Sequence, residues 1–372
     1  MTERTVGVGL ASADISLDLG DLHPSGHGAF RVGCRFEGDV VTAADPRPGL
    51  LHRGAEKLLE VRDYRQALML ANRHDWLSAV TSEVTLALAA EELLGLQVPD
   101  RATWLRTLLC EINRVSAALM HLAGAAALPP HGNTDRASPG MLAREAWLTC
   151  LESLTGGRVH TMVTRIGGVA YDVPLGWGAQ VHAALALTRS ALPQVVEGVI
   201  QTIRPHIAVL DHATARRWSV CGPVARASGI NQDLRRDDPA LAYPRLADVI
   251  RVVTADSGDA LSRYLVLAEQ VMADLEIITA CLDGLPEGPI DIRLPKVVRA
   301  PEGAAYAWLE SAVGINGVYL VSTGATTPWR VRLRTASYAN VQAMSAALPG
   351  TQLTDMPAAI GSFLFVAGDL DH

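Results

Sequence analysis

Residues 99–124, PDRATWLRTLLCEINRVSAALMHLAG, carry the strongest structural signal in the chain. Trp104, Leu105, Leu108, Leu109, Ile112, Val115, Leu119 and Leu122 recur at steps of three and four, which lays them along one face of an α-helix. Pro99 stands where a first-turn proline is tolerated, and Gly124 closes the stripe. At 3.6 residues per turn this helix runs for about seven turns. Residues 259–282 repeat the pattern through Leu261, Leu265, Ala268, Met272, Leu275, Ile278 and Leu282. A third helical stretch, residues 179–203, is less regular, and Pro193 is predicted to kink it. Long helices with one apolar face must pack on one another, so the centre of the molecule is expected to be helical.

Moving outward, the period changes to two. In residues 29–37, Phe30, Val32, Cys34 and Phe36 alternate with Arg31, Gly33, Arg35 and Glu37, the pattern of a half-buried strand. Gly38 and Asp39 read as a hairpin tip, with a return through Val40, Val41 and Thr42 to a break at Asp45-Pro46. Near the other end, residues 317–322 and the alternation of Trp329, Val331 and Leu333 with Arg330, Arg332 and Arg334 predict a second hairpin. The expected fold is α+β and mainly α-helical, with small β-hairpins near both ends. Neither an internal repeat nor a linker composition breaks the chain, so one domain over residues 1–372 is expected. Within it we expect an N-terminal hairpin at 22–46, a helical core at 55–283 and a C-terminal α/β region at 301–372.

Composition narrows the function. With 372 residues and 49 % hydrophobic content the chain can bury a large core. Its formal net charge of −7, with arginines scattered instead of striped, argues against nucleic acid as a partner. The five cysteines, at 34, 110, 150, 221 and 281, have no metal-ligand spacing, so the chain is not expected to hold an iron–sulfur cluster or other metal by itself. The first twenty residues lack the apolar core of a signal peptide or a span. The uncharged run at 115–130 is shorter than the roughly 20 residues a span needs and ends in Pro129-Pro130. Any membrane attachment is expected to be peripheral.

Three polar groupings could carry chemistry. His23-Pro24-Ser25-Gly26-His27-Gly28 sets two imidazoles in a glycine-rich loop before the first strand, either as solvated turn residues or facing a cavity. A metal there is disfavoured, because Pro24 and Gly26 oppose the helix that would bring both rings to one face. His52, Arg53, Glu56 and Lys57 cluster after a Pro/Gly break, which is also how a charged helix N-terminus looks. Asn72-Arg73-His74-Asp75-Trp76 sets polar groups beside an aromatic ring, as a surface turn with an inward tryptophan would.

Order and spacing add what the separate groups lack. HPSGHGAFR (23–31), ADPRPGLLHRGAEKLLE (44–60), NRHDW (72–76) and EELLGLQVPDRATWLRTLLCEINR (91–114) together resemble the N-terminal half of the 49 kDa, or D-type, subunit family of respiratory complex I, the NADH-quinone oxidoreductase. The likeness continues in LTGGRVHTMVTRIGGVAYDVPLG (154–176), ASGINQDLR (227–235), GVYLVSTG (317–324) and the closing AIGSFLFVAGDLDH (359–372). It therefore covers nearly the whole chain.

This resemblance implies a fold shared with the large subunits of nickel-iron hydrogenases, without the cysteine pairs that hold the metal there. It implies a quinone-reduction site beside an iron–sulfur cluster held by a B-like partner, together with a C-like partner and the membrane arm, with NADH oxidised elsewhere in the complex. The location implied is peripheral, on the cytoplasmic face of the cell membrane. Residue by residue, it implies that His27 hydrogen-bonds one quinone carbonyl and that Trp76 stands where the family has the tyrosine serving the other. His23, Gly28 and Leu128 would surround that site. Leu128 falls where the family has an aspartate supporting the quinone histidine, and His372 where the family closes on arginine. Arg53, His160 and Arg165 would lie near the partner's cluster. The indole of Trp76 donates a hydrogen bond but does not ionise, so it can orient a quinone and not protonate it. The departures leave three readings: a working quinone-site subunit of altered preference or rate, an impaired paralogue serving as assembly partner of an iron–sulfur protein, or a hydrogenase-like scaffold for another acceptor.

Overall fold

The structure is a computed structural model that describes residues 4–5, 14–15, 23–26, 28–128 and 138–372. The two-residue strands β1 (Arg4–Thr5) and β2 (Asp14–Ile15) pair antiparallel. Next comes the hairpin of β3 (Arg31–Glu37) and β4 (Val40–Arg47). Helices α1 (Ala55–Glu60), α2 (Tyr64–His74), α3 (Ala79–Leu94), α4 (Asp100–Ala126) and α5 (Pro139–Thr155) follow. A small ribbon of β5 (Thr164–Arg165) and β6 (Gly168–Val169) precedes α6 (Trp177–Thr202). Short helices α7 (His212–Arg217), α8 (Gly222–Ala227) and α9 (Leu234–Asp237) lead to α10 (Ala260–Asp283). A sheet of β7 (Gly303–Glu310), β8 (Ile315–Ser322) and β9 (Arg330–Arg334) is followed by α11 (Ala336–Gln342), α12 (Met344–Ala347), α13 (Met356–Gly361) and α14 (Ala367–Leu370).

The mainly helical α+β architecture is the expected one. Helix α4 runs through the centre against α5, α6 and α10, and because it has neighbours on every side it is buried all round. Pro99 is its N-cap residue, one position before the first turn. Asp259 starts α10 by accepting a hydrogen bond from the Ser262 N–H at 2.7 Å, which satisfies one of the orphan donors of the first turn. Pro193 lies inside α6, which continues through it. Trp147 and Trp177 are fully buried, and each indole N–H has an acceptor, the Thr188 hydroxyl at 2.9 Å and the Cys150 carbonyl at 2.8 Å.

The hairpins differ from expectation in detail. Strand β4 passes through Pro46 to Arg47 instead of breaking at Asp45, because a two-stranded ribbon has free edges that tolerate a missing N–H. Phe36 does not join Phe30, Val32 and Cys34 on the packed face; a register shift between Arg35 and Phe36 turns it outward. At the other end β8 is the middle strand, with β9 on one side and β7 on the other. Helix α3 packs on this sheet, and α1 lies against β9.

Candidate functional site

Four stretches remote in sequence meet at one place: the 23–28 loop, the 49–53 loop, the end of α2, and residues 361–372. Ser25 donates its hydroxyl to the Phe365 carbonyl at 2.9 Å. Asp371 accepts from the backbone N–H groups of Gly49 and Leu51 at 2.6 and 2.8 Å. The His52 ring is bonded to the His372 carbonyl at 2.9 Å. Gly28 has φ 114°, and a Cβ there would come within 2.8 Å of both Leu51 and Ala367. A glycine is needed for the backbone angle and for the close approach. Gly368 in turn lies against the His74 carbonyl and near the Arg53 guanidinium.

Within this junction His23 is fully buried. Its Nδ1 accepts from the Ser25 N–H at 3.2 Å, which places the proton of a neutral ring on Nε2, 2.9 Å from the Tyr264 hydroxyl. The ring also stands edge-on to His121, with centroids 5.7 Å apart. His121 donates from Nδ1 to the Ala117 carbonyl, and its Nε2 has no hydrogen-bond partner among the described residues. Burial pushes the His121 pKa down to about 4, so the ring is neutral at physiological pH.

Trp76 follows α2 and is half-buried beside a cavity of about 10 Å³ that it shares with Asn113, Arg144, Leu148 and Arg158. That is room for roughly one water. The residues just before Trp76 are buried and ionisable. His74 donates from Nδ1 to the Ala71 carbonyl at 2.7 Å, and its Nε2 lies 3.8 Å from an Asp369 carboxylate oxygen. Burial lowers the His74 pKa, against the opposing pull of Asp369. Asp75 accepts from the Ser78 N–H at 3.1 Å, and burial together with the Asp369 carboxylate pushes its pKa up to about 8. Asp369 also accepts from the Ser337 N–H at 3.0 Å. NRHDW stands out in the sequence, but nothing local pairs its aspartate with Asp369. Only the likeness of the closing motif hints that the far end of the chain belongs here.

The other expected site residues fall into two groups. His27 lies outside the described residues. Leu128 is buried, and its apolar side chain offers no charge just past the end of α4. Arg53 is exposed at the rim of the junction. His160 and Arg165 belong to a separate surface across α2. There the His160 ring donates to Asn72 at 2.5 Å, Asn72 bonds Glu83, and Glu83 accepts from the Thr164 N–H at 2.9 Å. Burial and then the Arg73 cation lower the His160 pKa. Arg165 folds back on the Met162 carbonyl at 2.7 Å and, with Arg65, Met69 and Met162, lines a cavity of about 180 Å³. No group of His, Cys, Asp and Glu that could hold a metal occurs among the described residues.

Residues 132–300 and 294–372 match the family described as respiratory-chain NADH dehydrogenase, 49 kDa subunit. A D-type NADH-quinone oxidoreductase subunit of Streptomyces griseus is 47 % identical over 100 % of this chain and 96 % of its own length. Its counterpart in Desulforamulus reducens is 34 % identical over 97 % of this chain and 99 % of its own. This chain belongs to the 49 kDa subunit family of NADH-quinone oxidoreductases. As a 49 kDa-type subunit it is part of an oxidoreductase assembly and works with partner subunits. A chain in the structure of the membrane-bound sulfane sulfur reductase, an archaeal respiratory membrane complex, has the same fold, with a TM-score of 0.85 and 33 % identity over 92 % of this chain and 94 % of that one. No helix among the described residues of this 49 kDa-type subunit is long and apolar enough to cross a membrane.

Proposed function

We propose that this chain forms the quinone-reduction site in the peripheral arm of a proton-translocating NADH-quinone oxidoreductase, on the cytoplasmic face of the membrane. One observation carries the reading. The 23–28 loop, the end of α2 with Trp76, and the closing segment 361–372 converge on a single buried junction that holds ionisable groups. Reducing a quinone to a quinol takes two electrons and two protons, so the site needs oriented donors and a proton supply. His27 and the Trp76 indole serve as the donors to the two carbonyl oxygens, with His23 and Gly28 shaping the loop. The electrons come from an iron–sulfur cluster on a B-like partner, near Arg53 at the rim of the junction and the separate surface of His160 and Arg165. Beside Trp76 the chain alone leaves space for about one water, which fits a pocket completed by a partner.

The test uses the assembled complex with NADH and a short-chain quinone. Trp76→Tyr restores an ionisable hydroxyl and is expected to raise the rate, whereas His27→Ala is expected to lower it by about 10²-fold, the low end of what a positioned donor contributes. No gain from the first and no loss from the second would sink the reading. The chain should also copurify with an iron–sulfur protein. A second reading, an impaired subunit that serves assembly, is favoured by the buried apolar Leu128 where the family resemblance calls for a carboxylate. It requires copurification without any response of the rate to either substitution.

A further inference from the structure

The small cavity beside Trp76 has a cationic wall. Arg144, in the second turn of α5, lines it, and Arg158 reaches it from the loop after that helix. Asn113 of α4 adds an amide. Two of these three side chains are committed elsewhere. Asn113 accepts from the Val80 N–H at 3.2 Å and donates to the Leu77 carbonyl at 3.0 Å. Arg158 pairs with Glu145 at 2.5 Å and with Glu152 at 2.7 Å, and so takes up two acids of α5. Arg144 is the exception. Its Nε is buried and has no hydrogen-bond partner among the described residues.

A guanidinium keeps its charge in a protein, so burial raises its energy without neutralising it. Burial lowers the Arg144 pKa, the adjacent Glu145 carboxylate offsets this in part, and the Arg158 cation adds to it. A half-buried cation beside a second cation, with the adjacent acid held by that second cation, is stabilised by negative charge on its open side. No carboxylate lines the cavity among the described residues. The size of the space limits what can bring that charge. About 10 Å³ admits one water-sized atom and excludes a ring. A single carbonyl oxygen fits there, with the ring that carries it outside, in the space a partner completes.

We propose that the niche between Trp76 and Arg144 receives one carbonyl oxygen of the quinone, and that Arg144 is the cation that stabilises the negative charge this oxygen gains on reduction. This rests on the quinone-reduction reading above. Two electrons pass from the partner's iron–sulfur cluster to the quinone, and the C=O π bond at this end becomes C–O⁻. The indole N–H and the guanidinium donate hydrogen bonds to the oxyanion, and both keep their protons. A proton from solvent then forms the O–H bond here, and a second solvent proton completes the quinol at the other oxygen. A tyrosine at position 76 would meet the developing charge by giving up a proton. With Trp76 in its place, the charge is met electrostatically by a preorganised cation in a site that excludes water.

The experiment uses the assembled complex with NADH and a short-chain quinone, and adds two competing ligands. One is a hydroxynaphthoquinone whose ring hydroxyl is ionised at neutral pH, and the other is its neutral methyl ether. The unmodified complex should bind the anion about tenfold more tightly than the ether, which is what a charge-assisted hydrogen bond contributes. Arg144→Gln keeps an amide donor but removes the charge. It should erase that preference and lower kcat by about a hundredfold, with KM for the quinone changed less than about twofold. Arg144→Lys keeps the charge and should retain the preference and most of the rate. A structural loss would instead weaken anion and ether alike, and lysine would not rescue it. An unchanged kcat and preference in Arg144→Gln overturn the proposal. So does an unmodified complex that reduces quinone without favouring the anion, an outcome that needs no variant to assemble. An unmodified complex that reduces no quinone overturns the underlying reading and the proposal with it.

Discussion

Two buried polar clusters in this molecule are equally dry and chemically opposite. In the helical core, Arg235 bonds Asp233 at 2.7 Å, Glu111 at 2.9 Å and Asp274 at 2.7 Å. Arg226 bonds Glu310 at 2.9 Å, Arg114 reaches the Ser311 carbonyl at 2.7 Å, and the Tyr243 hydroxyl donates to Glu111 at 2.6 Å. At the junction beside Trp76, by contrast, burial and the Asp369 carboxylate raise the Asp75 pKa, and burial lowers that of His74. Burial opposes ionisation of both Asp233 and Asp75. At Asp233 the Arg235 cation, followed by Arg226 and Arg114, outweighs it and holds the carboxyl well below its usual range. At Asp75 a second carboxylate adds to it. Matched charge pins the core, and unmatched charge leaves a group able to exchange a proton.

The comparison can be broken most directly at Arg235. Arg235→Ala leaves three buried carboxylates without their shared cation, and breaking such a pair typically lowers stability by about 3–5 kcal/mol. Denaturant unfolding of the chain should show that loss, and a loss below about 1 kcal/mol would mean the network does not pin the fold.

A sharper test separates two carboxylates of the same network. Burial raises the Asp274 pKa, so it is already inclined to carry a proton, whereas Asp233 is held ionised. Asp233→Asn should therefore cost about 2–3 kcal/mol and Asp274→Asn about 1 kcal/mol or less. Equal losses would contradict the assignment. The sign for Asp233 follows from its lowered folded pKa: its contribution is present above the unfolded value and fades as pH falls through the folded one.

The effect expected at Asp75 has the opposite sign. Its folded pKa is raised, so between about pH 4 and pH 8 the unfolded chain releases a proton that the folded chain keeps, and stability falls as pH rises through that window. Asp75→Asn removes this dependence. The variant should melt at the same temperature as the unmodified chain near pH 4 and at a higher temperature at about pH 8. A lower melting temperature at that alkaline end would show that Asp75 is held for its charge.

The helices are legible because their signal is local. Residues 99–124 and 259–282 show the helical period without help from the rest of the chain, and α4 and α10 end within two residues of the positions read from sequence. Strand β7 escapes such a reading because its buried face is built mainly from Ala305, Ala307 and Leu309, and alanine is a weak strand former. The exposure of Phe36 depends on a register shift that no alternation pattern records. The site is legible in pieces, since HPSGHG, HRG and NRHDW each stand out, with Trp76 among them.

By itself, then, the sequence determined the class of fold, the family and the residues that differ from it, because periodicity, composition and motif order are properties of the chain. Only the tertiary structure decided which ionisable groups face one another. Asp75 and Asp233 are both aspartates that accept backbone hydrogen bonds just before or at a helix start. Whether such a group holds a proton or gives it up depends on what lies across from it, a carboxylate from the end of the chain in one case and a guanidinium in the other. Electrostatic energy at this range is set by distance and burial, and neither is written in the order of residues.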